Sequence, residues 1–296
     1  MQINLQQPKR LLTLSLAITA AIAVIEALSG VLSNSISLVS DSVHMFTDVT
    51  AIALSLFAIT MAARSHSGAM TFGYHRAEVL AALANGVALA GISVWVLYEA
   101  ALRVMSPRAI DTPLMLVAAS IGLAGNLVVM FLLKHHAGKS INVQSALVHV
   151  VYDTVSSVAV IITGFIAFYT DITIVDPLAA FLIAGLVARS AYTIVRSSTH
   201  ILLEGAPREL DMQQVIATLE QLDGVVDVHD LHVWTISTGM DALSGHVVIR
   251  DQMLSQSSKL LREINKVLAE RYGITHTTIQ LEHEHEISFK RTAAKS

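Results

Sequence analysis

The chain contains no cysteine. That excludes disulfides and thiolate metal sites together, so a bound metal must be held by histidine, carboxylate or backbone oxygen. Charge is scarce as well: Asp, Glu, Lys and Arg make up 14% of the 296 residues, against 53% hydrophobic residues. A composition this apolar is out of place in a water-soluble domain and predicts several membrane spans. The net charge of −4 offers no basic surface for a nucleic acid, and none is expected as a partner. No GxxxxGK[ST] segment is present for ATP and no HExxH for a zinc protease.

The few charges are unevenly spread. Residues 1–204 hold 20 of the 42, and the last 92 residues hold the other 22. A membrane domain over 1–204 followed by a soluble domain over 205–296 is predicted. Six apolar segments, 11–33, 36–63, 78–104, 113–134, 144–169 and 177–197, are each long enough to cross a bilayer, which takes about 20 residues. Lys9 and Arg10 precede the first without a small-residue cleavage site, so it is expected to be a retained span. With the N-terminus inside, the inner loops collect Lys9, Arg10, Arg64, Arg76, Lys134, Lys139, Arg189 and Arg196. The outer loops hold only Arg103 and Arg108. This asymmetry predicts a multi-pass protein of the inner membrane with both termini cytoplasmic.

The tail changes period. "ELDMQQVIATLEQL" and "SQSSKLLREINKVLAERYG" read as amphipathic helices, and "VVDVHDLHVWTIS", "DALSGHVVIR" and "THTTIQLEHEH" as strands. Two helices over a three-stranded sheet are predicted. The fold class is thus an all-α bundle of six transmembrane helices with a C-terminal α+β domain.

Polar residues stand out where the chain should be most apolar. "VSDSVHMFTD" (39–48) places His44 and Asp48 one helical turn apart on one face, and "LVHVVYD" repeats the spacing with His149 and Asp153. Charges at membrane depth cost about 2.5–3.5 kcal/mol each even on the lenient insertion scale. Brought together, the two pairs supply two imidazoles and two carboxylates, a tetrahedral set suited to Zn²⁺, with Co²⁺ next. A self-satisfied His–Asp pair and a metal-free proton relay are the competing readings. Asp41, three residues before His44, either orients the imidazole or lies at the outer interface. Glu26, Glu78 and Glu99 are read as lying toward span ends or the bundle interior. Asn126 is read as an interhelical hydrogen-bonding group.

These motifs, with "FGYHRAEVLAALANG" opening the third span and "LLEGAP" leading into the tail, resemble the cation diffusion facilitator family, in particular its bacterial zinc-exporting branch. The resemblance covers almost the whole chain. It implies a homodimer exporting divalent metal in exchange for protons, with a metallochaperone-like cytoplasmic domain. The family's transport site falls on His44, Asp48, His149 and Asp153. A histidine in the second span is associated there with zinc over cadmium, so Zn²⁺ is the expected cargo and an expected regulatory ion. Co²⁺, Fe²⁺ or Ni²⁺ is the alternative cargo. "VHDLHVW" and "SGHVVI" resemble the cytoplasmic metal site, which implies His229, His246, Glu282 and His283 as ligands. His232 is read as a ligand or a packed histidine on the face of His229. The helix "SQSSKLLREINK" lacks the histidine that completes a two-metal cluster in relatives, so at least one weaker or mononuclear site is expected. In the loop after the second span, Met70 and Tyr74 replace two loop histidines of relatives, His66 is read as solvated, and His75 resembles a transit ligand. Arg76 and Glu204 match an opposite-charge interlock at the membrane–cytoplasm junction.

An intramembrane metalloenzyme is disfavoured, because both carboxylates are needed as ligands and no general base is left over. No enzymatic activity is expected. A membrane metal sensor that binds without flux is the remaining rival from another class.

Overall fold

Six long helices carry the apolar segments: α1 (Gln6–Leu32), α2 (Ile36–Ala62), α3 (Arg76–Met105), α4 (Thr112–Lys134), α5 (Ile141–Thr170) and α6 (Val175–Leu202). The structure is a computed structural model that describes residues 6–62, 70–134, 141–237 and 239–283. Even the shortest helix, α4 with 23 residues, is about 35 Å long at 1.5 Å per residue and can cross a hydrocarbon layer of about 30 Å. Described stretches of α1, α3, α4, α5 and α6 are long and apolar enough to span, and α2 at 27 residues matches α1 in length. Large side chains such as Val117, Phe131 and Leu182 are exposed on the outer faces, where a bilayer would solvate them. Helix α6 runs beyond the apolar segment predicted to end at 197. Hydropathy marks the depth of lipid, whereas the backbone ladder continues through "RSSTHIL" in water.

The chain forms two compact units, one of residues 1–59 and 81–195 and one of residues 60–80 and 196–296. In the first, small residues set the helix spacing. A Cβ at Gly125 of α4 would overlap Ile22 of α1, so the two helices meet backbone to side chain there.

The N-terminus of α2 is fastened by a carboxylate from another helix. Ser35 caps α2 by accepting from the Leu38 N–H at 3.2 Å. The remaining amides go to Asp176 in the first turn of α6: the Ile36 N–H donates to Oδ2 at 2.8 Å and the Ser37 N–H to Oδ1 at 3.2 Å. The hydroxyls of Ser35 and Ser37 each donate to Asp176 Oδ1 at 2.6 Å. Asp176 is fully buried, so an anion sits on the positive end of α2 with hydrogen bonds replacing its water. The adjoining α1–α2 turn is tied to the α3–α4 turn. Asn34, at a φ of +57°, donates through Nδ2 to the Ala109 carbonyl at 3.0 Å and accepts at its own carbonyl from Arg103.

In the second unit, α7 (Met212–Glu220), β1 (Val225–Ser237), β2 (Met240–Ile249), α8 (Leu254–Tyr272) and β3 (His276–His283) form the α+β domain. Asp211 caps α7 by accepting from the Gln213 and Gln214 amides, and Gly273 at φ +71° ends α8. β1 and β2 form an antiparallel hairpin, and the α8 crossover returns the chain to pair β3 parallel to β2. One face of the sheet (Val228, Val233, Leu243, Val247) packs on Val215 and Leu219 of α7 and on Leu260, Ile264 and Leu268 of α8. The other face carries His229 and His246.

Asp176→Ala should leave the α2 amides and two hydroxyls unpartnered, at about 1–3 kcal/mol per buried group before relaxation. We expect a lower thermal midpoint of the purified protein in detergent, with Asp176→Asn, which keeps an oxygen acceptor, in between. An unchanged midpoint in the alanine variant would remove the clamp from the account of stability.

Candidate functional site

The first cluster lies between α2 and α5. The helical spacing that aligns His44 with Asp48 and His149 with Asp153 turns each pair to one face. Across that interface His44 Nε2 stands 3.7 Å from Asp153 Oδ1, with the Asp153 side chain 3% exposed and that of His44 27%. The structure therefore brings one member of each pair together. The side chains of Asp48 and His149 lie outside the described residues. Asp41 is buried one turn from His44 and does not sit at an interface with water. Its Oδ1 accepts from Ser156 Oγ on α5 at 2.5 Å, which ties α2 to α5 beside the His44–Asp153 pair. From α4, Asn126 donates through Nδ2 to the neighbouring Ser157 Oγ of α5 at 3.2 Å.

Two further acidic residues belong to this polar interior. Asp176 is the clamp described above. Glu26 of α1 was expected near a span end or in the interior, and it is wholly buried, with neither carboxyl oxygen hydrogen-bonded. A sequence signal for it existed: a carboxylate deep in an apolar run with no basic residue within a turn. Glu99, by contrast, lies with its helix end and is shared by Arg103 at 3.1 Å and Arg108 at 3.0 Å.

The second cluster stands on the open face of the three-stranded sheet, one residue from each strand. His229 of β1 and His246 of β2 are paired across the ladder, their ring centroids 5.4 Å apart. Glu282 of β3 reaches both: Oε1 lies 2.6 Å from His246 Nδ1 and Oε2 3.3 Å from His229 Nε2. The three donors lie within 4.8 Å of one another, and Glu282 is buried beneath the two half-buried rings. Two imidazoles and a carboxylate at this separation fit Zn²⁺ in kind, with one tetrahedral position left over.

His283 is not in this cluster. Adjacent strand residues point to opposite faces, so with Glu282 turned to the histidines, His283 faces away and stands 3.5 Å from Asp251. His232 reaches the expected face by a route that regular pleating would not give. It is three positions from His229, but their partners Ser244 and His246 are two apart, so a bulge absorbs the extra residue. Asp230 sits in that bulge at φ +51° and accepts from His232 at 3.0 Å, and its Oδ2 lies 3.9 Å from His246 Nε2. His232 is exposed and is bonded to Asp230, outside the three-donor group.

In the same unit, Arg76 and Glu204 form the expected opposite-charge pair at 3.2 Å. With side chains 38% and 63% exposed, such a pair contributes about 0–1 kcal/mol. His75 ends the loop before α3, its carbonyl accepting from the Glu78 N–H at 3.4 Å. His66 lies outside the described residues. A cleft of about 800 Å³ beside this loop is lined by Phe72, Arg76, Glu204, His232 and Trp234.

Comparison with known proteins covers both units. The sequence model of the cation efflux transmembrane domain matches residues 12–203, and that of the cation efflux protein cytoplasmic domain matches residues 207–284. The chain is similar to the cadmium, cobalt and zinc/H(+)-K(+) antiporter of Bacillus subtilis, 39% identical over 93% of this chain and 89% of that protein. It is similar to the metal cation efflux system protein CzcD of Cupriavidus metallidurans, 38% identical over 93% and 86%. To the zinc transporter ZitB of Pectobacterium atrosepticum it is 37% identical over 93% and 86%.

The cytoplasmic cluster makes a prediction that needs no transport assay. In the purified full-length chain, His246→Ala and Glu282→Ala should each lower zinc bound at equilibrium by about one ion per chain, since a two-donor remnant holds Zn²⁺ weakly. His283→Ala should leave that count unchanged. Equal loss in all three variants would put His283 in the ligand set.

Proposed function

The chain belongs to the cation efflux family, and on that premise we propose that it is a proton-coupled antiporter exporting Zn²⁺ from the cytoplasm. The observation that carries this reading is the approach of His44 to Asp153 across α2 and α5, inside the helical bundle. With Asp48 and His149 one turn along each helix, the ligand set is two imidazoles and two carboxylates. That set suits a d¹⁰ ion in tetrahedral geometry and disfavours ions that take all-oxygen shells. Zinc stands here as cargo, and no bond of the substrate is made or broken, so the protein is read as a transporter and not an enzyme.

The same ligands supply coupling. Metal binding needs a neutral imidazole and an ionised carboxylate, so protons and metal compete for the site. A site open to the neutral cytoplasm loads metal, and a site open to a more acidic exterior exchanges it for protons, as imidazole chemistry allows. The excess of Lys and Arg on one set of loops supports the inner membrane with both termini cytoplasmic. The cytoplasmic domain is read as a dimerisation and zinc-sensing module. His229, His246 and Glu282 would hold one regulatory ion, fixing three strands to one another. The names of the relatives favour a second cargo reading, cobalt or cadmium, and extend the counter-ions to K⁺. Iron and nickel rest on ligand chemistry alone.

Zinc flux into proteoliposomes under an imposed pH gradient tests this. Native protein should show gradient-dependent flux that Asp153→Ala and His44→Ala abolish. Zinc affinity at the site should fall as pH is lowered, about tenfold per unit for each proton displaced. Bound zinc without flux would establish the sensor instead, and flux untouched by both variants would move the site elsewhere.

A further inference from the structure

The buried interior of the first unit holds more carboxyl groups than the proposed zinc site uses. Glu26, Asp41 and Asp153 are all buried, and of these only Asp153 belongs to the proposed zinc set. Glu26 is the extreme case. It is fully buried, both its oxygens lack a hydrogen-bond partner, and it lies well inside the stretch Thr13–Leu32 of α1 that is apolar enough to span. The carboxyl is received by a gap in α4, where a Cβ at Gly122 would overlap Glu26 Oε1. The charged groups acting on it are Asp41 of α2 and Asp153 of α5, both acidic. His44 enters only through Asp153, 3.7 Å away, and α4 contributes no charge before Lys134 at its end. Two more acceptors of this bundle are left over among the described residues: Asp41 Oδ2 and Asn126 Oδ1 are buried without hydrogen-bond partners. With Glu26 they make an oxygen-only set in the same bundle as the mixed nitrogen and oxygen site. Its chemistry calls for a hard cation rather than for zinc.

We propose that Glu26, with Asp41, holds the counter-cation of the exchange, a monovalent proton or K⁺ that sits on the Glu26 carboxyl while the neighbouring zinc site is empty. Zinc arriving at His44 and Asp153 places two positive charges beside this pocket and repels its occupant, because a bound divalent ion dominates the local field. Departure of zinc reverses the effect. Coupling therefore extends beyond direct competition at the four zinc ligands. The proposal rests on the antiport reading given above.

The test compares two fluxes of the native chain and of Glu26→Gln in proteoliposomes: net zinc flux driven by a pH gradient or by a K⁺ gradient, and zinc-for-zinc exchange without a gradient. The amide keeps the shape, adds its own donors among the leftover acceptors, takes up no proton and carries no charge to balance a bound cation. We expect the ratio of net flux to exchange to fall at least tenfold. Loss under the pH gradient assigns the proton, and loss under the K⁺ gradient assigns K⁺. An unchanged ratio, whether both fluxes persist or both fall together, overturns the proposal while leaving antiport intact. Absence of net flux in the native chain would overturn the antiport reading itself. Should Glu26→Gln not assemble, carbodiimide labelling of the native protein serves instead. Modification mapped to Glu26 that changes on zinc addition supports the proposal, and labelling of Glu26 indifferent to zinc, or none, rejects it.

Discussion

Hydrocarbon offers no hydrogen-bonding partner, so a polar group buried among these helices is costly unless it is answered from within the protein. The six-helix unit can be read as a series of such answers. Asp176 is answered most fully, by two amides and two hydroxyls at the start of α2, and the answer also positions α2. Because the clamp grips the first turn, it fixes the helix's rotation as well as its height. Rotation decides whether a residue eight positions on, His44, faces α5 or lipid. Asp41 is answered by Ser156 and Asn126 by Ser157, while His44 stands 3.7 Å from Asp153. Each of these ties runs between helices, so stability and site geometry depend on the same few contacts.

The cytoplasmic domain obeys a different rule. Water satisfies its edges, and its strands bury one face against α7 and α8. The opposite face is then available for chemistry, and a three-stranded sheet presents one ligand per strand at adjacent positions. The cluster is thus a property of register: His229 opposes His246, and Glu282 on the parallel partner sits next to them. A slip of one residue in either ladder would turn a ligand into the core. A metal bridging β1, β2 and β3 would in turn resist such a slip, which couples ion binding to the order of the whole face.

Much of this was legible in the sequence, because both environments leave periodic traces. Six apolar runs mark six helices, and the alternation in "VVDVHDLHVWTIS" marks β1 to the residue. The paired HxxxD spacing pointed to α2 and α5 without structural help. What escaped were facts of pairing between distant segments. Asp176 reads as an ordinary acidic residue at a helix start until Ser35 and Ser37 are seen against it, 141 and 139 positions away in sequence. Glu282 and His283 are equal candidates as letters, and only the pleat separates them. The bulge at Asp230, which returns His232 to the face of His229, has no composition signal, since a left-handed φ at a non-glycine residue is imposed by its surroundings. Glu26 was visible as an oddity, but its lack of partners was not.

A carrier must bind its ion firmly enough to load and loosely enough to let go. A layer this rich in carboxylate favours the first and opposes the second, since each extra negative charge holds any cation more tightly in a medium of low dielectric. On the proposal made for Glu26, release would depend on a replacement cation that arrives as the metal leaves. With no lysine or arginine among the described residues acting on Glu26, that replacement would have to come from solution, which would make uncoupled leakage of metal costly. A basic residue placed beside Glu26 would remove this dependence. It would also remove the reason for the metal to stay until a counter-ion is present. On the same proposal, the lack of a fixed positive charge at Glu26 among the described residues would leave to the ion gradients a place that a salt bridge would otherwise fill.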